Sequence, residues 1–260
     1  MWVIGVILIA VGIGLFFYKK KVEDKLLDVK YYDQTDIKSA VETCLSVSQE
    51  LGTGHYSQMI KVSAKAHSDQ PLVGEFSDSP CVYYEASVVH EFEKLVERKD
   101  ENGKVHRNWV GGTEMVGSTR QGGLFHLNDG SGDVMVNIDG AKLTINSAVN
   151  QFKSSGGSVN FSFGTYYPEN TRQKRSKGYR ELESNIPVGQ QLFILGELND
   201  RSGTPTITIS SEKKNPFIVS IKSEEQVISG LEGKIKGLNI GAIACGVIGV
   251  IMIIANFFVK

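Results

Sequence analysis

The sequence of 260 residues contains only three cysteines, at positions 44, 81 and 245, and no C-x-x-C pair. Three cysteines cannot build a disulfide framework, and a structural zinc site needs cysteines or histidines at short, regular spacing. The sequence therefore predicts no metal site and no cofactor. The sparse use of cysteine fits a reducing compartment.

The chain also lacks an excess of basic charge, with 28 Lys and Arg against 29 Asp and Glu. This balance argues against broad nucleic-acid binding, which requires a positive surface. No phosphate-binding G-x-x-x-x-G-K-[ST] loop occurs, and the five histidines are scattered. Asp129 and Asp133 flank a glycine-rich turn, but they do not follow the spacing of an EF-hand calcium loop.

What the sequence does contain is an uncharged apolar run near each end, Met1–Tyr18 and Gly237–Val259. As helices, the two runs would extend roughly 27 Å and 34 Å. Each can cross the hydrocarbon core of a bilayer, which is about 30 Å thick. The first run is followed, not preceded, by lysines, which is unlike a cleaved signal peptide. We therefore predict an integral, multi-pass membrane protein with two transmembrane helices.

The lysines next to these runs predict the orientation of the chain. Five of them lie on the side of the long intervening segment: Lys19, Lys20, Lys21, Lys234 and Lys236. Only Lys260 lies on the terminal side. The positive-inside tendency therefore predicts that residues 19–236 are cytoplasmic and that both termini lie on the opposite side.

Small residues recur every four positions along the second run, at Gly237, Gly241, Cys245 and Gly249. Such a ridge allows membrane helices to approach closely. It predicts packing on the first run or on a second copy of the chain, so a homo-oligomer remains open.

Between the apolar runs, the pattern is mainly that of short strands. Residues 33–52 predict an amphipathic helix, capped by Thr35 or Asp36 and ended by Gly52 or Gly54. Alternating segments then predict strands, including one hairpin across Gly130 and another before Thr204. The predicted fold class is α+β, mainly β, with an OB-like or barrel-like domain. The predicted division is 1–18 transmembrane, 19–55 linker and amphipathic helix, 56–222 β-rich domain, 223–236 juxtamembrane helix and 237–259 transmembrane.

A local basic run interrupts a polar stretch at 154–181, and it comprises Arg172, Lys174, Arg175, Lys177 and Arg180. One interpretation is contact with anionic lipid headgroups, which membrane proximity favours over nucleic acid. The simpler interpretation is a solvated loop, and the sequence favours it.

The stretch "SPCVYYE" at 79–85 raises the question of a cysteine nucleophile, with His90 as its base. A catalytic cysteine needs an adjacent histidine or a helix N-terminus to lower its pKa. Cys81 instead opens a predicted strand, and nine extended residues place His90 about 30 Å away. We therefore predict a buried framework residue and no catalytic residue.

These segments occur in an order that resembles the GIDE/BAM-domain membrane proteins, which include mitochondrial-anchored protein ligases. The resemblance covers both apolar runs and the segments between them. It predicts structural signature residues at Pro80, Cys81, Val82, Tyr83, Tyr84, Asp129, Gly130, Gly132, Gly189, Gly196 and Glu197.

Ligase members of the family carry a zinc-binding RING after the second span, whereas this sequence ends at Lys260. The resemblance therefore implies a membrane-tethered binding or scaffold module without catalysis of its own, whose partner is a protein or an unknown ligand near the bilayer. One alternative is the membrane component of a ubiquitin ligase whose RING lies on another chain. A second alternative is an OB-like binder of nucleic acid or anionic lipid.

Overall fold

The computed structural model of the protein describes residues 2–101, 103–154 and 157–258. Three residues used in the predictions lie outside these ranges. Met1 belongs to the predicted first span, Val259 belongs to the predicted second span, and Lys260 was used to predict the orientation. Within the described ranges, the helices are α1 (Trp2–Tyr31), α2 (Ile37–Leu51) and α3 (Glu224–Phe258). The strands are β1 (Ser57–His67), β2 (Leu72–Val73), β3 (Pro80–Lys99), β4 (Val105–Gly122), β5 (Leu124–Asn128), β6 (Asp133–Asn137), β7 (Lys142–Thr144), β8 (Asn146–Lys153), β9 (Val159–Phe161), β10 (Gly164–Tyr166), β11 (Lys174–Pro187), β12 (Gln191–Asn199), β13 (Thr206–Thr208) and β14 (Ile218–Ser220).

The strands form three sheets. A seven-stranded sheet has the order β1-β5-β6-β13-β12-β14-β7, and an additional pairing of β1 with β12 closes five of its strands into a barrel. A second sheet has the order β2-β3-β11-β8, with β4 also paired to β3, and β9 pairs with β10. This confirms the predicted mixed α+β class, mostly strands, with apolar helices at both ends.

The chain divides into two compact units. Unit 1 contains Met1–Ser63, Gly140–Lys142 and Leu192–Lys260. Unit 2 contains Ala64–Asp139 and Leu143–Gln191. Each unit is described by itself below.

In unit 1, both apolar helices are long and apolar enough to cross a membrane. The two helices pack closely against each other. A Cβ atom built on Gly5 would lie only 2.7 Å from the carbonyl oxygen of Gly249. Helix α1 continues past the predicted end of its apolar run at Tyr18 to Tyr31, and α3 begins well before Gly237. Each helix therefore includes its flanking lysines.

Local signals in unit 1 explain where its helices begin and end. Asp36 caps α2 by accepting a hydrogen bond from the Ser39 amide at 2.8 Å, and Gly52 ends it at φ 87°, as predicted. Ser223 and Gln226 form a reciprocal capping box at the start of α3. A hydrophobic cluster around Val29, Phe193 and Leu195 then joins α1 and α3 to the strands of this unit.

The buried ion pair of Lys61 lies beside this cluster in unit 1. The Lys61 ammonium lies 2.7 Å from the Glu224 carboxylate in the first turn of α3 and 3.4 Å from the Val29 carbonyl oxygen in the last turn of α1. A cation is favourable at a helix C-terminus, and an acidic residue is favourable at an N-terminus. One lysine thus connects β1 to both apolar helices.

In unit 2, β3 and β4 form a long antiparallel hairpin, with β11 on the other side of β3 and β8 beyond it. The predicted hairpin across Gly130 is confirmed as β5 and β6. The prediction of a solvated loop over 154–181 is wrong, because β9, β10 and the start of β11 lie in this stretch. Cross-strand ion pairs, described below, stabilise the strand conformation of this polar sequence.

Candidate binding groove

The outward face of the β4-β3-β11-β8 sheet in unit 2 carries a groove of about 550 Å³. Its lining comes from all four strands and consists of Glu85, Ala86, Ser87, Met115, Ser118, Thr119, Arg120, Ser147, Leu182, Glu183 and Ser184. A concave surface with a few convergent polar groups is the usual form of a ligand site.

Strand register arranges the groove side chains in two rows. In the first row, Arg120 lies opposite Glu85, Glu85 lies opposite Ser184, and Ser184 lies opposite Ser147. The neighbouring row runs from Ser118 through Ser87 to Leu182. Directly opposed residues of antiparallel strands project from the same face, so the first row crosses all four strands and the second crosses β4, β3 and β11. The result is a hydroxyl-lined floor with one acidic and one basic side chain.

A β-bulge lies next to the groove on each outer strand. The register between β3 and β4 shifts at Val88 and Val89 and leaves Val116 as the extra residue. The register between β11 and β8 shifts at Glu183 and Ser184 and leaves Ala148 as the extra residue. Bulges bend strands and re-aim side chains, and they are common beside functional sites. The two bulges therefore lie at the level of the groove, one on each of its outer strands.

Beneath the groove floor, Glu183 is buried and holds a loop in place. Its carboxylate accepts hydrogen bonds from the backbone amides of Phe76 and Ser77 at 2.6 Å and 3.1 Å and from the Ser77 hydroxyl at 2.6 Å. The Asn185 amide donates a further hydrogen bond at 3.2 Å. A carboxylate with this many donors is satisfied, so Glu183 acts as framework for the groove.

The structure buries Cys81 completely, at the start of β3. It packs with Tyr84, Ala86, Leu72 and Phe76. Burial raises the pKa of the Cys81 thiol to about 11, and the nearby Glu183 carboxylate adds to the increase. The reactive thiolate form is therefore disfavoured. Val82 and Tyr83 continue the strand as buried residues, whereas Pro80 at its start is exposed.

His90 lies further along β3, in a polar cluster within unit 2. Its Nδ1 lies 2.9 Å from Glu114 Oε1, and its Nε2 lies 2.9 Å from Ser176 Oγ. The Tyr166 hydroxyl donates to Glu114 at 2.6 Å and the Lys174 ammonium at 3.1 Å. These donors, led by Tyr166 and His90, lower the pKa of Glu114 to about 2.

This cluster predicts a specific dependence of stability on pH. Because the pKa of Glu114 in the folded protein lies below its ordinary value of 4.5, its stabilising contribution is complete above about pH 4.5 and is lost as pH falls towards 2. We expect the difference in unfolding free energy between the native protein and Glu114→Gln to shrink over that range in urea titrations. The exposed residue Glu50 provides the control, because substitution of an exposed side chain usually changes stability by no more than about 0.5 kcal/mol. A difference for Glu114→Gln that does not change with pH would contradict this assignment.

The predicted basic run lies mostly on β11 and is largely paired with acidic residues. Lys174 contacts Glu114, Arg175 and Lys177 contact Glu93 at 2.6 Å and 3.9 Å, and Arg180 contacts Glu91 at 2.7 Å. Arg172 precedes the strand and is exposed. These pairs reduce the positive charge that the run presents to an anionic surface. Lipid contact by this run stays a prediction.

The other predicted signature residues have local structural roles. The Asp129 carboxylate accepts hydrogen bonds from Ser131 and Gly132, which closes the β5–β6 turn with Gly130 at φ 92°. Gly189 forms a turn at φ 81°. In unit 1, a Cβ atom on Gly196 would lie 2.8 Å from the Phe217 ring, and buried Glu197 pairs with Arg201 at 2.7 Å.

Three of the four ridge residues of the second run face α1. A Cβ atom on Gly249 would lie 2.8 Å from the Gly5 carbonyl oxygen, and one on Gly241 would lie 3.5 Å from Leu15. Cys245 lies opposite Gly12. Gly237 has open space around it. The ridge therefore packs on α1 at three of its four positions.

The groove itself was not predicted from the sequence. Its polar residues are separated by up to about a hundred positions, and each has the character of an ordinary exposed strand residue. The sequence feature that could have indicated the groove is the group of hydroxyl residues near Met115, namely Thr113, Ser118 and Thr119. No strand was predicted for that segment.

Together, the two apolar helices, the barrel and the grooved sheet define a mixed α+β protein with two candidate membrane spans. The profile of the GIDE family, described as E3 ubiquitin ligase, matches residues 93–254. The match covers more than half of the 260 residues, so the chain belongs to the GIDE family. The signature stretch at 80–84 precedes the matched residues. No significant match was found among curated proteins or among solved structures.

Proposed function

We propose that the chain is a membrane-tethered binding module that holds a protein partner through the groove of unit 2 and performs no catalysis of its own. The observation that carries this proposal is the groove in a chain with two candidate membrane spans. Its hydroxyl rows, with Arg120 opposite Glu85 on the neighbouring strand, suit an extended peptide, whose backbone offers donors and acceptors at regular spacing. We also propose that the closed barrel is OB-like and that residues 19–236 are cytoplasmic.

The groove supports a protein partner better than a nucleic acid. None of its described lining residues is aromatic, whereas single-stranded nucleic-acid sites stack bases on aromatic rings. Within the described ranges, no group of three or more histidine, cysteine or acidic residues could hold a metal ion.

The description of the matched family as E3 ubiquitin ligase supports a second proposal. In it, the chain is the membrane component of a ligase whose RING lies on another chain. The partner in the groove would then be a RING protein or a conjugating enzyme.

Photocrosslinking in native membranes tests the proposed groove. We expect benzoylphenylalanine at Ser118 or Ser147, on opposite sides of the groove, to capture the same protein. The same probe at Thr113, which is exposed on β4 but outside the groove lining, serves as the control. Ser184→Arg should abolish both adducts by filling the floor. Equal capture from Thr113, or adducts that survive Ser184→Arg, would refute the groove. Mass spectrometric identification of the captured protein separates the two proposals.

A further inference from the structure

Three lysines from separate elements of unit 1 interact electrostatically with Tyr18. Lys25 lies on α1, Lys234 on α3, and Lys142 at the start of β7. The Lys234 ammonium donates to Tyr18 Oη at 2.9 Å and lies 5.0 Å from the centre of its ring. Lys142 also interacts electrostatically with both Lys25 and Lys234. Three positive charges are thus gathered within one small region.

In the described part of the chain, Lys25, Lys142 and Lys234 form no ion pair with a carboxylate. Among the residues that the structure describes, the ion pairs on these helices use other lysines: Lys19 with Glu23, and Lys30 with Glu232. Burial, followed by the charges of Lys25 and Lys234, lowers the pKa of Lys142. Two ammonium groups are both donors and cannot satisfy each other. The arrangement would be stabilised by an anion that accepts from all of them.

The position of the group along the helices indicates where that anion would come from. Tyr18 is the last residue of the first uncharged run, and Lys234 lies just before Gly237, where the second begins. Tyrosine and lysine at the ends of apolar helices are typical of the depth of lipid headgroups. A lipid phosphate would lie at this depth, whereas a soluble anion would not be concentrated there.

We propose that Lys25, Lys142, Lys234 and the Tyr18 hydroxyl bind the phosphate group of an anionic phospholipid. The Tyr18 oxygen accepts from Lys234, so its own proton is available to donate to a phosphate oxygen. Lysines act as compact point charges around that group, and charge-assisted hydrogen bonds are the strong ones. This proposal requires the helices to be inserted in a membrane and does not depend on the groove.

Native mass spectrometry of the full chain, released from vesicles of phosphatidylcholine and phosphatidylglycerol, tests this site. We expect preferential retention of phosphatidylglycerol. Loss of one lysine in Lys142→Gln should weaken that retention about fivefold. The matched control is Lys236→Gln: it removes the same charge, two residues along α3 from Lys234 and about 200° around the helix. This control should retain lipid like the native protein, and all three proteins should unfold at the same temperature.

The same experiment separates a lipid from a soluble anion. Inorganic phosphate added before release should not displace the phosphatidylglycerol, because it lacks the acyl chains that hold the headgroup at this depth. Displacement by inorganic phosphate, or equal weakening by Lys142→Gln and Lys236→Gln, would overturn the proposal. Equal retention of phosphatidylcholine and phosphatidylglycerol by the native protein would overturn it as well.

Discussion

Replacing Glu183 with alanine is expected to lower the free energy of unfolding by about 3 kcal/mol or more. The change leaves the Phe76 and Ser77 amides and the Ser77 hydroxyl without the carboxylate that accepts from them. Leaving one buried donor unsatisfied costs about 1–3 kcal/mol. Urea unfolding followed by Trp109 fluorescence measures the loss, since Trp109 lies on β4 of the same unit.

Glu85→Ala is the matched control for this measurement. Glu85 is also a glutamate of the sheet, but it lies exposed in the groove. Removing an exposed carboxylate usually changes stability by no more than about 0.5 kcal/mol. If the two variants lose the same stability, Glu183 is not the support of the loop at 74–79, and the floor of the groove must be held in another way.

Replacing Gly249 with leucine is expected to destabilise the packing of α1 against α3 by about 2 kcal/mol. The new side chain would begin 2.8 Å from the Gly5 carbonyl oxygen and 2.8 Å from the Ile9 side chain, so the helices must separate. Close approach at small residues is a main source of association between membrane helices. Titration of the reconstituted protein with SDS, followed by circular dichroism, measures the change.

Gly246 provides the control on the same helix, because a Cβ atom there has no neighbour within 4 Å. Gly246→Leu adds the same side chain to α3 and should leave the SDS titration unchanged. Equal effects of the two substitutions would show that leucine alters the helix itself. No effect of Gly249→Leu would show that α1 and α3 do not pack at Gly249.

The features that were predicted from the sequence are those encoded by neighbouring residues. Two uncharged runs, the Asp36 cap, the Gly52 stop and the turn at Gly130 each depend on a few consecutive positions. The α+β class followed from the same local patterns. Local signals of this kind act before tertiary structure does, so a single sequence is enough to locate them.

The features that were missed depend on distant partners. Strand β4 is rich in glycine and polar residues, and it forms because β3 pairs with it over most of its length. The basic run has the polar sequence of a loop, but it is stabilised as a strand by its cross-strand partners Glu91, Glu93 and Glu114. The groove requires the register of four strands and two bulges. None of these relations is contained in one segment of the chain, so periodicity could not reveal them.

A membrane-tethered module of this kind requires α1 and α3 to form one paired anchor, and a single engineered cysteine tests this pairing. A Cβ atom at position 12 would lie 3.5 Å from the Cβ atom of the native Cys245, within the range that a disulfide requires. We predict that Gly12→Cys forms an intramolecular disulfide with Cys245 on mild oxidation of native membranes, as detected by peptide mass mapping. Gly14→Cys, with no neighbour within 4 Å, should not. Equal crosslinking of the two variants, or bonds only between separate chains, would contradict the paired anchor.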